Sequence, residues 1–301
     1  MLKSPMLKVF LPLLVTLALS PLSPALAAPE LRLQTAGGGF RQGEPFKVEL
    51  APDGEMQVPL KLMLANQQIG LFEQNGKFVC YAGTPADQKP GGYTLRVLDA
   101  AGQEVVSQKI ELLRVPRSTQ SIRYYPPPTN AEQKALLAKE DKIVDDAIAN
   151  TRSPEQFWQG AFSRPVPHAI SSYYGVFRYL NGKYNGYHGG IDFLSPTGTP
   201  IKAPAGARVA LARYFSKANS NGNLVLLDHG LGVTSVYLHL SKILVKEGQL
   251  VKKGEPFALV GSTGRSTGPH LHWGVYLNGK NTDALSWIKF SEQLIGVVDS
   301  R

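Results

Sequence analysis

Gly268-Pro269-His270-Leu271-His272-Trp273-Gly274-Val275-Tyr276-Leu277 is the stretch on which the reading of this chain turns. Leu271, Trp273, Val275 and Leu277 alternate with His270, His272, Gly274 and Tyr276. A period of two is the mark of a strand with one apolar and one polar face, so both histidines share a face. Two more segments look alike in kind. His188-Gly189-Gly190-Ile191-Asp192 sets a histidine and an acid four apart, and its glycines favour an extended or looped backbone. In Thr234-Ser235-Val236-Tyr237-Leu238-His239-Leu240, alternation puts His239 with Ser235 and Tyr237 on the more polar face. The chain has six histidines, and four of them fall in these three segments.

Such a concentration points to a metal. A hydrolytic zinc centre takes three protein ligands and keeps a fourth position open for water, and those ligands must converge from rigid elements. Even spacings on strands, as at His270/His272 and at His188/Asp192, suit that need. His168 and His229 stand outside this pattern and read as ordinary surface or core residues.

The three segments together resemble the lysostaphin/LytM-type zinc endopeptidases, which cut peptidoglycan peptides. The pattern H-x-x-x-D, Y-x-H-L, G-P-H-L-H occurs here in that order, and the likeness runs from about Ser171 to about Leu285. Gly198-Thr199-Pro200, Asp228-His229-Gly230 and Ser262-Thr263-Gly264-Arg265-Ser266-Thr267-Gly268 belong to it as well. The resemblance implies that His188, Asp192 and His272 bind Zn2+, while His239 and His270 stay off the metal and act on water and transition state. It leaves open which of those two is base and which is acid. Tyr179 or Tyr184, upstream of His188, is a candidate to hold the oxyanion. The implied activity is a zinc metalloendopeptidase acting on peptide stems and cross-links of peptidoglycan. The alternative is a non-catalytic wall-binding or hydrolase-activator protein on the same fold, a kind that usually lacks some ligands.

The rest of the chain frames this site. Its 301 residues suffice for two domains. Residues 1–27 read as a signal peptide: Lys3 and Lys8 precede the apolar run Val9 to Leu19, and Ala25-Leu26-Ala27 closes it. Export across the inner membrane to a periplasm follows, where the bond would be D-alanyl–diaminopimelate; a glycine bridge would suit another kind of wall. No later run reaches membrane length, so no transmembrane segment is expected in the mature protein. Loss of Lys3 and Lys8 lowers the net charge from +9 to +7, and a basic exported protein is drawn to anionic wall polymers. Nucleic acid is not an expected partner, and the sequence names no regulatory protein partner.

The fold class is mainly β. Residues 28–115 read as a β-sandwich-like accessory domain, with Phe46/Val48/Leu50 and Val58/Leu60/Leu62/Leu64 alternating and a hairpin turn at Asn75-Gly76. Its expected role is to bind, position or cover the catalytic domain; a chain starting near Pro154 is then expected to be at least as active. Cys80, the single cysteine, reads as a buried small hydrophobe. Residues 116–156 read as a proline-rich linker and a helix. Thr129 and Glu132 have capping-box spacing, Leu136, Leu137, Ile143, Val144, Ala147 and Ile148 form the apolar stripe, and Glu140, Asp141, Asp145 and Asp146 form the solvated face. Residues 157–301 are the antiparallel β catalytic domain with a groove.

Overall fold

The computed structural model describes residues 29–52, 56–123, 129–216 and 218–296. The proposed signal peptide and Pro126-Pro127-Pro128 lie outside the described residues. The chain is mainly β, with antiparallel sheets and two helices among the described residues.

Two sheets face each other in the first part of the chain. One runs Glu30–Thr35, Pro45–Ala51, Lys77–Gly83, Phe72–Gln74; the other runs Phe40–Arg41, Glu104–Leu113, Gly91–Leu98, Lys61–Leu64, Gln67–Gly70. Phe46, Val48 and Leu50 of one sheet close on Leu62, Leu95 and Val97 of the other. Burial of alternating apolar side chains between two sheets is the driving force. Asn75 and Gly76 take φ of 51° and 73°, the positive pair that a tight hairpin needs. Cys80 is fully buried in this core, and burial pushes its thiol up to about 12. The strand expected from Val58 begins only at Lys61, after the exposed Val58 and Pro59.

The segment expected to be linker contains a strand. Thr119–Ile122 pairs parallel with Phe177–Leu180, which pairs antiparallel with Lys183–Tyr187. Four polar-rich residues among prolines carry little strand signal; the pairing is decided by a partner more than fifty residues away.

Helix α1 spans Ala131–Asn150. Its cap is Asn130 rather than Thr129: the Asn130 side chain accepts from Gln133 N at 2.8 Å, and the Gln133 side chain returns to Asn130 N at 3.0 Å. Both pairs fit the capping-box pattern, and the extended backbone at Asn130 selects the second. Val144 packs with Leu211, Leu224, Leu226 and Val236 on the outer face of the main sheet. Glu140 departs from the expected solvated face. It is buried, and its carboxylate accepts from Ser216 N at 2.9 Å and Ser216 Oγ at 2.8 Å. Leu136 is exposed instead of joining the stripe.

The main antiparallel sheet has the order Ile170–Ser172, Ile191–Phe193, Leu271–Leu277, Val233–Leu238, Leu224–Gly230, Ala207–Arg213, Leu250–Val251, with Lys280–Thr282 pairing to Leu271–Leu277. Leu271, Trp273, Val275 and Leu277 are all fully buried on one face, as the alternation requires. Helix α2, Ala284–Gly296, closes that core with Trp287 and Phe290.

Among the described residues, none of 29–115 lines the groove described below. The first sandwich is fixed against the body of the molecule. Tyr81 lies edge-on to Trp158 and Trp287, with centroids 5.9 and 5.6 Å away. Asn278 Nδ2 donates to Tyr81 O at 2.8 Å, and Thr282 Oγ1 donates to Gly43 O at 2.7 Å. Gly43 has φ of +80°, and a Cβ there would lie 2.6 Å from the Tyr174 ring. A chain beginning near Pro154 would therefore lose the Tyr81 ring from a continuous core, α1 from the sheet and Thr119–Ile122 from the groove wall.

Candidate metal centre and its groove

Two paired strands and the loop that leads into one of them deliver the candidate ligands. Asp192 and His272 are direct cross-strand partners, since Ile191–Phe193 pairs with Leu271–Leu277 in that register. His188 enters from the loop just before Ile191. A Cβ on Gly190 would lie 2.5 Å from Trp273 O and 2.7 Å from His272 Nε2, so only glycine lets this loop cross so close to the histidine.

His188 Nε2, a carboxylate oxygen of Asp192 and His272 Nδ1 converge, with ligand atoms within 4.8 Å of one another. His188 Nε2 lies 3.0 Å from Asp192 Oδ1 and 3.1 Å from His272 Nδ1; His272 Nδ1 lies 2.8 Å from the same oxygen. His188 Nδ1 stands 3.0 Å from Tyr173 O and 3.0 Å from Ser172 Oγ. A carbonyl only accepts, so Nδ1 carries the proton and Nε2 presents its lone pair to the cluster. Lone pairs of two imidazoles and a carboxylate at such range repel unless a cation or a proton lies among them. This donor set, open on its groove side, fits a divalent metal of the zinc type. Burial raises the Asp192 carboxyl, but the His188 and His272 imidazoles override it and hold it well below its ordinary value. Burial lowers His188 more than Asp192 raises it, which favours the neutral, ligating form.

His239 and His270 stand beside this cluster. Their ring centroids are 4.6 Å apart, and His239 is 6.3 Å from His272. The strand ends at Leu238, and His239 itself has φ of +64°, a left-handed conformation that turns it out of the alternation expected for it. His239 Nδ1 is 2.8 Å from Thr263 O, and His270 Nδ1 is 2.9 Å from Gly268 O. Both therefore carry the proton on Nδ1 and keep Nε2 free. Burial is the chief reason that His239 is pushed down to about 4, with His270 adding to it.

A groove of about 500 Å3 runs over these residues. Tyr179 and Tyr184 do not reach it, contrary to expectation. They pack on each other at 5.8 Å, and Tyr184 Oη donates to Asp87 at 3.2 Å. Alternation along Phe177–Leu180 turns Tyr179 outward and Arg178 inward. Tyr276, on the His272 face of its strand, is the tyrosine that lines the groove. Arg123, Arg178 and Arg265 also line it, and sequence reasoning gave them no role. Arg265 lies in the glycine-, serine- and threonine-rich motif at 262–268, and the period-two rule could have placed Arg178; nothing local marked Arg123.

His168 and His229 lie outside the cluster. His168 Nδ1 is 3.1 Å from Ser195 Oγ. His229 is fully buried, 2.9 Å from Gly206 O and 2.8 Å from Ser235 Oγ, and burial pushes it down to about 4.

Residues 186–284 match the model of Peptidase family M23. Peptidoglycan DD-endopeptidase ShyB of Vibrio cholerae is 44% identical over 98 residues, 33% of this chain and 22% of that protein. The chain thus spans about a fifth of the length of the curated relatives it matches. The crystal structure of a Pseudomonas aeruginosa protein assigned to peptidase M23 is 29% identical, covers 84% of this chain and 97% of that one, and superposes with a TM-score of 0.62. The catalytic domain of lysostaphin from Staphylococcus simulans is 34% identical over 40% of this chain and 92% of that one, with a TM-score of 0.36.

Proposed function

Because this chain belongs to peptidase family M23 through residues 186–284, we propose that it is an exported zinc metalloendopeptidase. Its substrate would be the peptide cross-links of peptidoglycan, cut at D-alanyl–diaminopimelate bonds in the periplasm. The observation that carries the reading is the convergence of His188, Asp192 and His272, with His239 and His270 at its edge. The name of the Vibrio cholerae relative, a DD-endopeptidase, supports the substrate class. The signal-peptide pattern of residues 1–27 supports export.

His188, Asp192 and His272 would hold the zinc, which when bound polarises the scissile carbonyl and acidifies a water. Asp192 supplies the one negative charge among three ligands, so the centre keeps a net positive charge. Among the described residues no glutamate lines the groove, so the proton work would fall to histidine. His239 is neutral at working pH and enters the reaction able to take a proton on Nε2. Its Nδ1–H is tied to Thr263 O, and that of His270 to Gly268 O, which fixes both rings toward the groove. All five positions are filled and brought together, which disfavours the non-catalytic activator. The test is digestion of purified cross-linked muropeptides by the full chain, with products read by mass spectrometry and zinc by elemental analysis. Dimers should fall to monomers, and a chelator should stop the reaction. A zinc-loaded protein that cuts no muropeptide would refute the reading.

A further inference from the structure

The groove is unequally charged. Arg123, Arg178 and Arg265 line it, and among the described residues the only acid that does so is Asp192, a member of the candidate metal cluster. These arginines come from separate parts of the chain: the residue after Thr119–Ile122, the strand Phe177–Leu180, and the loop before His270. Arg178 is half-buried, and its Nη2 lies 3.7 Å from Asp192 Oδ2, too far for a hydrogen bond. Its Nε is buried with no partner among the described residues. A buried guanidinium donor without an acceptor, facing a second cation, is a costly arrangement that an incoming carboxylate relieves.

Resting on the endopeptidase reading, we infer that Arg178 and Arg265 form a carboxylate subsite beside the metal cluster, selecting substrates whose leaving amine carries a free carboxylate on the adjacent carbon. The chemistry of the cross-link explains the fit. In a D-alanyl–diaminopimelate bond the scissile nitrogen sits on the D-centre of diaminopimelate, and that same carbon bears a free carboxylate. In a glycine bridge the corresponding carbon bears only hydrogens. Arg178 reaches toward Asp192, so a carboxylate held there lies next to the ligands that surround the reacting carbonyl. Arg123 adds positive charge on the groove wall that the metallopeptidase segment itself does not supply, since it precedes residue 186. The subsite is thus a specificity element for the proposed reaction.

The experiment compares two cross-linked dimers with the full-length, zinc-loaded protein. They are identical except that the D-centre carboxylate is free in one and amidated in the other. Wild-type kcat/KM should favour the free acid by a factor on the order of 10², the size of a lost charge-assisted hydrogen-bonded pair. R178Q and R265Q should each pull that ratio toward unity through a fall on the free acid, and Arg265→Lys should restore part of it. Product carrying the free carboxylate should inhibit wild type more strongly than its amide, and R265Q should narrow that gap. Equal cleavage of the two dimers by wild type overturns this inference and leaves the endopeptidase reading standing. An undiminished preference in both R178Q and R265Q does the same. Cleavage of neither dimer by the zinc-loaded protein overturns the endopeptidase reading and this inference with it.

Discussion

Replacing His270 and His272 one at a time separates two jobs that sequence spacing cannot. The two residues share a strand face, but only His272 Nδ1 points into the cluster with His188 and Asp192. His270 pairs its ring with His239 at 4.6 Å. His272→Ala removes one of the three proposed ligands and should lose both metal and turnover. His270→Ala and His239→Ala remove the proposed proton-transfer groups and should keep zinc while the rate falls by about 10²–10⁴. Each loss corresponds to about 3–5 kcal/mol of barrier. Were the two histidines independent, the double variant would fall by about 10⁴–10⁸. Under the proposed mechanism rings this close would act on one water, so the double variant should fall little further than the worse single one. Zinc by elemental analysis and muropeptide turnover by mass spectrometry are read on the same preparations. Loss of zinc from His270→Ala as complete as from His272→Ala would refute the assignment, because His270 would then be a ligand.

Further outcomes follow from the surrounding structure. His229 is fully buried and held down at about 4 against an ordinary 6.5, so the unfolded chain binds a proton first as pH falls. Its contribution is complete above pH 6.5 and is lost toward pH 4; a difference of that size is worth about 3 kcal/mol. Denaturant unfolding across that window should show the decline, and His229→Gln should flatten it; an equal slope in both proteins would remove His229 as the cause. A chain starting at Pro154 should be less soluble and less active than the full one, because it exposes Trp158 and Trp287 and lacks the Thr119–Ile122 wall; a fully active fragment would sink that reading. Glu140→Ala should destabilise the fold by about 1–3 kcal/mol by freeing the Ser216 donors. Because Ser220 and Asn221 of the same loop line the groove, its turnover should fall more than its zinc content.

Local patterns in the sequence determined a good deal here. Period-two alternation fixed the strand Leu271–Leu277 and the face carrying His272, because side chains on a strand must alternate. Asn75-Gly76 fixed a hairpin, because few residues accept positive φ twice in succession. The ordered motifs marked all five residues of the candidate centre. The tertiary structure alone decided what depends on distant partners. It showed that Thr119–Ile122 is a strand, because Phe177–Leu180 supplies its hydrogen bonds. It buried Glu140, because Ser216 offers two donors where a solvated helix face was expected. It turned Tyr179 away and Arg178 inward, gathering three arginines from three parts of the chain around one groove. Backbone conformation follows near neighbours along the chain, whereas the charge of a groove is set by whichever side chains folding brings to it.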